Sequence, residues 1–318
     1  MIECLQMFKR KIKMQKFSLH THTIGFDGRN TEEEMLSTAT ELGWSHIGFS
    51  NHFIVHPAIK DAPMYQYACQ RGYDNIYSSS FDDAIAKFEP HYKKIDDLRK
   101  TSNINILKGM EVDFFATEEW LEGFNKALKH LRPDYLIGAA HFVLHNNTLY
   151  NSHDIKAASP VEQNMLIYKY WQNERAVAES GLFTFMAHLD LMKKVGLGQE
   201  NKWQDEEKKT ILAIKKSGTI IELNTSYCKF GNEPYPSERI MKMIAQENIP
   251  VIISDDAHAT EQLGKKFVET QELATMCGIT EFCSMDKQSS SSKIHITKGN
   301  NTNYYLDFPK SFKAISCK

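Results

Sequence analysis

In Phe17-Ser18-Leu19-His20-Thr21-His22 the first four residues read as a short strand that runs into two imidazoles two residues apart. Residues i and i+2 of an extended chain project to one side, so His20 and His22 can reach the same metal ion. The same ending recurs along the chain. Runs at His46–Ser50, Ile104–Glu111, Tyr135–Ala140, Phe183–His188, Thr219–Leu223 and Pro250–Ser254 also read as strands. They lead into Asn51-His52, Glu111, His141, His188 and, for the last, Asp256-Ala257-His258, so six of the seven finish on a potential ligand.

Helical patterns with recognisable starts lie between these strands. Thr31 with Glu34 forms a capping box, Ser159-Pro160 is a cap followed by a first-turn proline, and Pro236-Ser237 precedes an amphipathic run. Strand–helix alternation implies parallel strands joined by right-handed crossovers. A closed barrel and an open doubly wound sheet both satisfy that order. The convergence of ligands selects the barrel: closure gathers the C-terminal strand ends on one face, whereas an open sheet spreads them along a line. The expected fold is an α/β barrel of seven strands over residues 16–285, with residues 1–15 as an N-terminal extension and 286–318 as a linker and tail, the part from Lys293 onward either adding an edge strand or simply trailing. The connection from Asn51 to Ser102 exceeds one crossover and predicts a rim excursion before a helix at Phe81–Arg99.

Composition narrows the function. The 318 residues carry 38 Lys+Arg against 40 Asp+Glu, a net charge of −2, which gives no footprint for a phosphate backbone. No run approaches the roughly 20 apolar residues of a spanning helix. Lys9, Arg10, Lys11 and Lys13 are not followed by an apolar signal core. The six cysteines form no CxxC pair. The expectation is a cytoplasmic enzyme acting on a small molecule, with neither nucleic acid nor membrane as partner; the sequence specifies no oligomeric state.

Glu111 among neutral imidazoles suits a carboxylate that bridges two divalent ions. In Asp255-Asp256-Ala257-His258, Asp256 and His258 share one side and Asp255 faces the other, which favours Asp256 as the ligand. Asp27, in the turn Gly25-Phe26-Asp27-Gly28, is either a ligand or a turn residue. His46, His56, His91, His130, His145, His153 and His295 lack strand-end placement and read as core or surface residues, with His56 and His145 nearest the rim. Imidazoles with a few carboxylates and no thiolate match two to three Zn, Mn or Fe ions. Such a centre produces hydroxide at neutral pH and holds phosphoryl oxygens, which points to phosphate-ester hydrolysis.

Ser18-Leu19-His20-Thr21-His22-Thr23, Phe49-Ser50-Asn51-His52, Gly109-Met110-Glu111-Val112-Asp113, Gly138-Ala139-Ala140-His141-Phe142, Ala187-His188-Leu189-Asp190 and Ser254-Asp255-Asp256-Ala257-His258 resemble the successive motifs of the PHP (polymerase and histidinol phosphatase) superfamily. Glu222-Leu223-Asn224-Thr225 with Pro234-Tyr235-Pro236-Ser237, and Lys193-Lys194-Val195-Gly196 after His188, are most like its histidinol-phosphate phosphatase branch. The resemblance implies a distorted seven-stranded (β/α)7 TIM-like barrel with a trinuclear site. Carried over, His20, His22, Glu111 and Asp256 hold one ion; Glu111, His141 and His188 a second; His52, His258 and Asp27 the third. A hydroxide bridging the first two ions attacks phosphorus, with Glu111, Asp256 and His258 in the catalytic set. The implied reaction is hydrolysis of L-histidinol phosphate in histidine biosynthesis, with another small phosphate ester, or a non-catalytic metal-binding module, as alternatives. Asn51 stands where the family more often has an acid that would orient its neighbour, and the spacing to Asp27 departs from the commoner one. Lys194, Lys229 and Arg175 are the candidate phosphate-binding cations.

Overall fold

The computed structural model describes residues 15–229, 231, 233–285, 293–298 and 302–307. Its strands are β1 (Phe17–Ser18), β2 (His46–Phe49), β3 (His52–Val55), β4 (Tyr77–Ser78), β5 (Asn105–Asp113), β6 (Tyr135–Ala139), β7 (Val143–His145), β8 (Thr148–Tyr150), β9 (Phe185–Met186), β10 (Ile220–Asn224), β11 (Val251–Ser254), β12 (Glu281–Met285), β13 (Lys293–Lys298) and β14 (Thr302–Asp307). The α-helices are α1 (Glu32–Glu41), α2 (Pro63–Arg71), α3 (Phe81–Arg99), α4 (Glu118–Leu131), α5 (Ser152–Ala157), α6 (Pro160–Ser180), α7 (Gln204–Ser217), α8 (Glu238–Gln246) and α9 (Phe267–Met276). The start signals at Thr31 and Ser159 are met: Thr31 and Glu34 complete a capping box, and the Ser159 hydroxyl accepts the Glu162 N–H.

The seven expected strands are β1, β2, β5, β6, β9, β10 and β11, hydrogen-bonded in that order and all parallel. The ring closes past the ends of β1 and β11. Thr21 bridges Ala257 in parallel, the His22 N–H donates to the Ala257 carbonyl at 2.8 Å, and the Ala257 N–H donates to the His20 carbonyl at 3.3 Å. At the opposite end β11 also pairs with β12, and the antiparallel strands β13 and β14 continue the sheet beyond it. These two strands fall in the stretch expected to add an edge strand or to be a tail; Ser289–Ser292 and residues 1–14 lie outside the described residues.

Two local readings differ from expectation. The second strand breaks at Ser50-Asn51 and resumes as β3, with one register against β5 carried from Phe49↔Lys108 to His52↔Glu111. His52 therefore opens a new strand. β5 runs two residues beyond Glu111 to Asp113, so Glu111 lies inside the ladder.

Inside the barrel a small apolar cluster of Leu19, Leu107, Tyr135, Ile137, Phe185, Ile220 and Ile252 forms a floor, distinct from the larger core between sheet and helices. Tyr135 is its centrepiece. A Cβ added at Gly48 would lie 2.3 Å from the Tyr135 hydroxyl, and one at Gly109 would lie 2.2 Å from its ring. The buried hydroxyl donates to the Leu19 carbonyl, so the ring fills the space two glycines leave and satisfies its one polar group. Glu111, two residues along β5 from Gly109, projects from the same face above this floor. Gly109→Ala should lower stability by about 1–3 kcal/mol through overpacking; an unchanged urea midpoint would show that Tyr135 is not locked there.

Candidate metal centre

Glu111 is 1% exposed and faces five imidazoles. Its Oε2 lies 3.4 Å from His20 Nε2, 3.6 Å from His22 Nε2 and 2.7 Å from His52 Nδ1. Its Oε1 lies 2.8 Å from His188 Nε2 and 3.4 Å from His141 Nε2. The two carboxylate oxygens thus serve different groups, the geometry a bridging ligand needs. Asp256 Oδ1 stands 3.1 Å from His22 Nε2 and 3.5 Å from His20 Nε2. Asp27 Oδ2 stands 3.0 Å from His258 Nε2 and 3.2 Å from His52 Nε2, while its Oδ1 is 3.4 Å from His22 Nδ1. Donor atoms within 4.8 Å of one another fall into the sets His20/His22/Glu111, His52/Glu111/His141 and His22/Asp27/His52/His258.

All nine expected ligands are therefore brought together, and Asp27 joins them although it occupies a turn. Asp255 does not. Its carboxylate accepts from Ser18 Oγ and from the Gly264 N–H, each at 2.7 Å. His188 and Asp256 have positive φ, 23° and 49°, a conformation that costs free energy for side-chain-bearing residues and is held here by neighbours. The His188 N–H donates to Glu222, and Asp256 Oδ2 accepts from Asn224 and Ser226.

The residues present fit divalent ions. His20 Nε2, both ring nitrogens of His22, Asp27 Oδ1, His52 Nδ1 and Glu111 Oε2 are buried without a hydrogen-bond partner. Buried polar atoms are seldom left so, and here the orphans point at one another. Burial opposes charge on Glu111, Asp27, Asp256, His20 and His52. Against it, His52, His20 and His141 hold Glu111 well below the usual carboxylate range, and His258, His52 and His22 do the same for Asp27. Asp256 is held down likewise, chiefly by His20. In return Glu222, Asp256 and Glu111 raise His20 above an ordinary imidazole, and Glu111 and Asp27 raise His52. The cluster compensates its ionised acids with protons, which divalent cations would displace.

Sequence reasoning missed the residues that aim these ligands. Glu222 accepts from His20 Nδ1 at 2.6 Å, and Asp113 lies 3.2 Å from His141 Nδ1 while accepting the His141 N–H. Such partners fix which ring nitrogen faces a metal. The signal was their position two residues from a ligand or on an inward strand face. Asn51, standing where the family more often has an acid that would orient its neighbour, binds Thr23 and His91.

The centre lies at the base of a cleft of about 790 Å³. Lys194, Lys229, Lys265 and Lys266 contribute cations to its lining, and Tyr67, Tyr73, Tyr77, Phe142 and Tyr235 aromatic faces. Arg175 is not there: its guanidinium binds Glu206 at 2.7 Å and Thr210 at 3.3 Å, tying α6 to α7. Of the histidines set aside, His153 lines the cleft, whereas His56 caps the turn at Ala58.

The PHP domain family model matches residues 18–226, a stretch that spans five of the six ligand motifs. The chain belongs to the PHP family. It is 23% identical over 287 residues to the "Probable histidinol-phosphatase" of Schizosaccharomyces pombe, covering 85% of this chain and 89% of that protein. A protein of the same name from Deinococcus radiodurans is 25% identical over 256 residues, covering 79% and 88%. The fold matches the crystal structure of histidinol phosphate phosphatase (HisK) from Lactococcus lactis, complexed with Zn, L-histidinol and phosphate. The TM-score is 0.61 and the identity 13%, over 86% of this chain and 98% of that one.

Two measurements test the centre. Glu111→Gln should lower the number of Zn2+ ions bound per chain, counted by elemental analysis, because the carboxylate belongs to two donor sets. Zn2+ uptake by metal-stripped protein should release protons into a weakly buffered solution. Its affinity should rise as pH increases above 6.5, where the raised imidazoles of His20 and His52 deprotonate.

Proposed function

We propose that this PHP-family chain is a divalent-metal-dependent phosphomonoesterase that hydrolyses L-histidinol phosphate to L-histidinol and phosphate. The observation that carries the reading is the bridging placement of Glu111, one oxygen toward His141 and His188 and the other toward His20, His22 and His52, at the base of a cation-lined cleft. The substrate is supported by the naming of the S. pombe and D. radiodurans relatives and by the ligands in the L. lactis structure.

His20, His22, Glu111 and Asp256 would hold one ion; Glu111, His141 and His188 a second; Asp27, His52 and His258 a third. When bound, such ions acidify water and neutralise phosphoryl oxygens in an in-line displacement. The chain's own groups do the rest. Glu222 and Asp113 keep the rings of His20 and His141 aimed inward. Tyr135 and its neighbours close the barrel below, so that water and substrate reach the centre from the cleft. Lys194 and Lys229 supply positive charge for the phosphate, and the faces of Tyr73, Tyr77 and Phe142 suit a flat, cationic leaving group.

Desolvation in the cleft holds the Lys194 ammonium below its ordinary range, with Asp256 opposing the shift and Lys229 adding to it. Its charge is present below that lowered value and lost as pH rises through it, so KM for a phosphate ester should climb on the alkaline side. Lys194→Met should raise KM roughly tenfold at neutral pH, the equivalent of about 1.4 kcal/mol, and remove that limb. The function itself is tested by phosphate release from L-histidinol phosphate beside a panel of phosphomonoesters, with bound metals counted. Preference for L-histidinol phosphate, abolished by chelation and restored by metal, is the expected result. Turnover of another ester alone would discard the substrate, and metal without turnover would discard the enzyme.

A further inference from the structure

A buried polar chain outside the ligand set runs from α1 and α3 to the turn that carries Asp27. The Thr23 N–H donates to Asn51 Oδ1 at 2.8 Å. A backbone N–H can only donate, so that contact fixes the amide: the other side-chain atom of Asn51 is its NH2. This group lies 3.0 Å from Thr23 Oγ1 and 3.1 Å from His91 Nε2. His91 Nε2 must then accept, which places the ring proton on Nδ1, 2.7 Å from Glu32 Oε1. Lys94 completes the carboxylate at 2.8 Å. Burial alone would raise Glu32, yet the bonds from His91 and Lys94 hold it at about 2. Thr23, Asn51, Glu32 and His91 are all at least nine-tenths buried.

The chain ends on a turn under several constraints. The Thr23 carbonyl accepts the N–H groups of Phe26 and Gly28, at 3.2 and 3.1 Å, and so encloses Asp27. Gly28 leaves no room for a side chain, since a Cβ there would stand 2.5 Å from the Thr23 nitrogen. The Phe26 ring packs edge-on against Phe88 and His91, with centroids 5.0 and 5.5 Å apart. His91 therefore holds the turn twice, through Asn51 and through Phe26.

We propose that Asn51, His91 and Glu32 are positioning residues for Asp27: a neutral His91 and the amide of Asn51 form a matched pair that sets the turn and delivers the carboxylate to His52 and His258. The amide at position 51 goes with an unprotonated His91 Nε2, whereas a carboxylate there would require a proton on that nitrogen. The inference rests on the reading of Asp27 as a metal ligand.

The test uses the full chain, stripped of metal and titrated with Zn2+, with ions counted and thermal unfolding of the metal-free proteins followed in parallel. His91→Phe keeps a ring beside Phe26 without polar atoms, Asn51→Ala removes the amide, and His91→Gln keeps one donor and one acceptor. Expected for His91→Phe and Asn51→Ala is the loss of one ion per chain, or roughly 10–100-fold weaker binding at one site, with Asp27→Asn losing the same ion and His91→Gln restoring it. Wild-type ion counts and affinities in both variants would overturn the inference. A full complement of ions in Asp27→Asn would overturn the reading of Asp27 and this inference with it. Nitrogen NMR of the wild-type protein gives a readout independent of variant folding: His91 should carry its proton on Nδ1, and an Nε2–H tautomer overturns the pairing.

Discussion

A carboxylate that is 1% exposed must be surrounded by positive charge or give up its own, because transfer of an isolated anion out of water costs far more than one domain's stability. Glu111 meets this constraint with five imidazoles drawn from β3 and from the segments that follow β1, β6 and β9. No pair of neighbouring strands could supply them. The ring must close for the charge at its centre to be tolerated, and the floor of Tyr135 and its neighbours keeps that centre at one depth.

Outside this ring the polar groups act in pairs. Glu222 aims His20 while accepting the His188 N–H, and Asp113 aims His141 through both its ring and its backbone. One acid therefore fixes ligands from two strands. Such sharing makes the ligand positions interdependent, and substitutions at Glu222 and His188 should not act additively.

The seven strands, their parallel order and eight of the nine converging residues were legible in the sequence because strand-end placement is a one-dimensional signal; Asp27 lies in a turn, where the sequence left ligand and turn residue both open. So were the helix starts at Thr31 and Ser159, which depend on residues three apart. The orienting acids were not, since Glu222 and Asp113 look like ordinary polar residues in alternating strands until the barrel is closed around them. Arg175 illustrates the opposite error: the sequence shows a helix but not which face meets α7, and Glu206 is 31 residues away. The break at Ser50-Asn51 was invisible because it leaves the register with β5 unchanged.

The strands that close the barrel are also those that carry the first and last ligands, through Thr21, His22 and Ala257. The seam of the barrel and the wall of the candidate metal centre are one structure. Parting that seam would separate His22 from Asp256 in the same motion, so the barrel cannot breathe there while the ligands stay in place. Traffic of substrate and product is thereby confined to the mouth along the barrel axis. Any slow opening of the seam would disturb barrel and centre at once, with exchange of the amide protons of His22 and Ala257 as its natural clock.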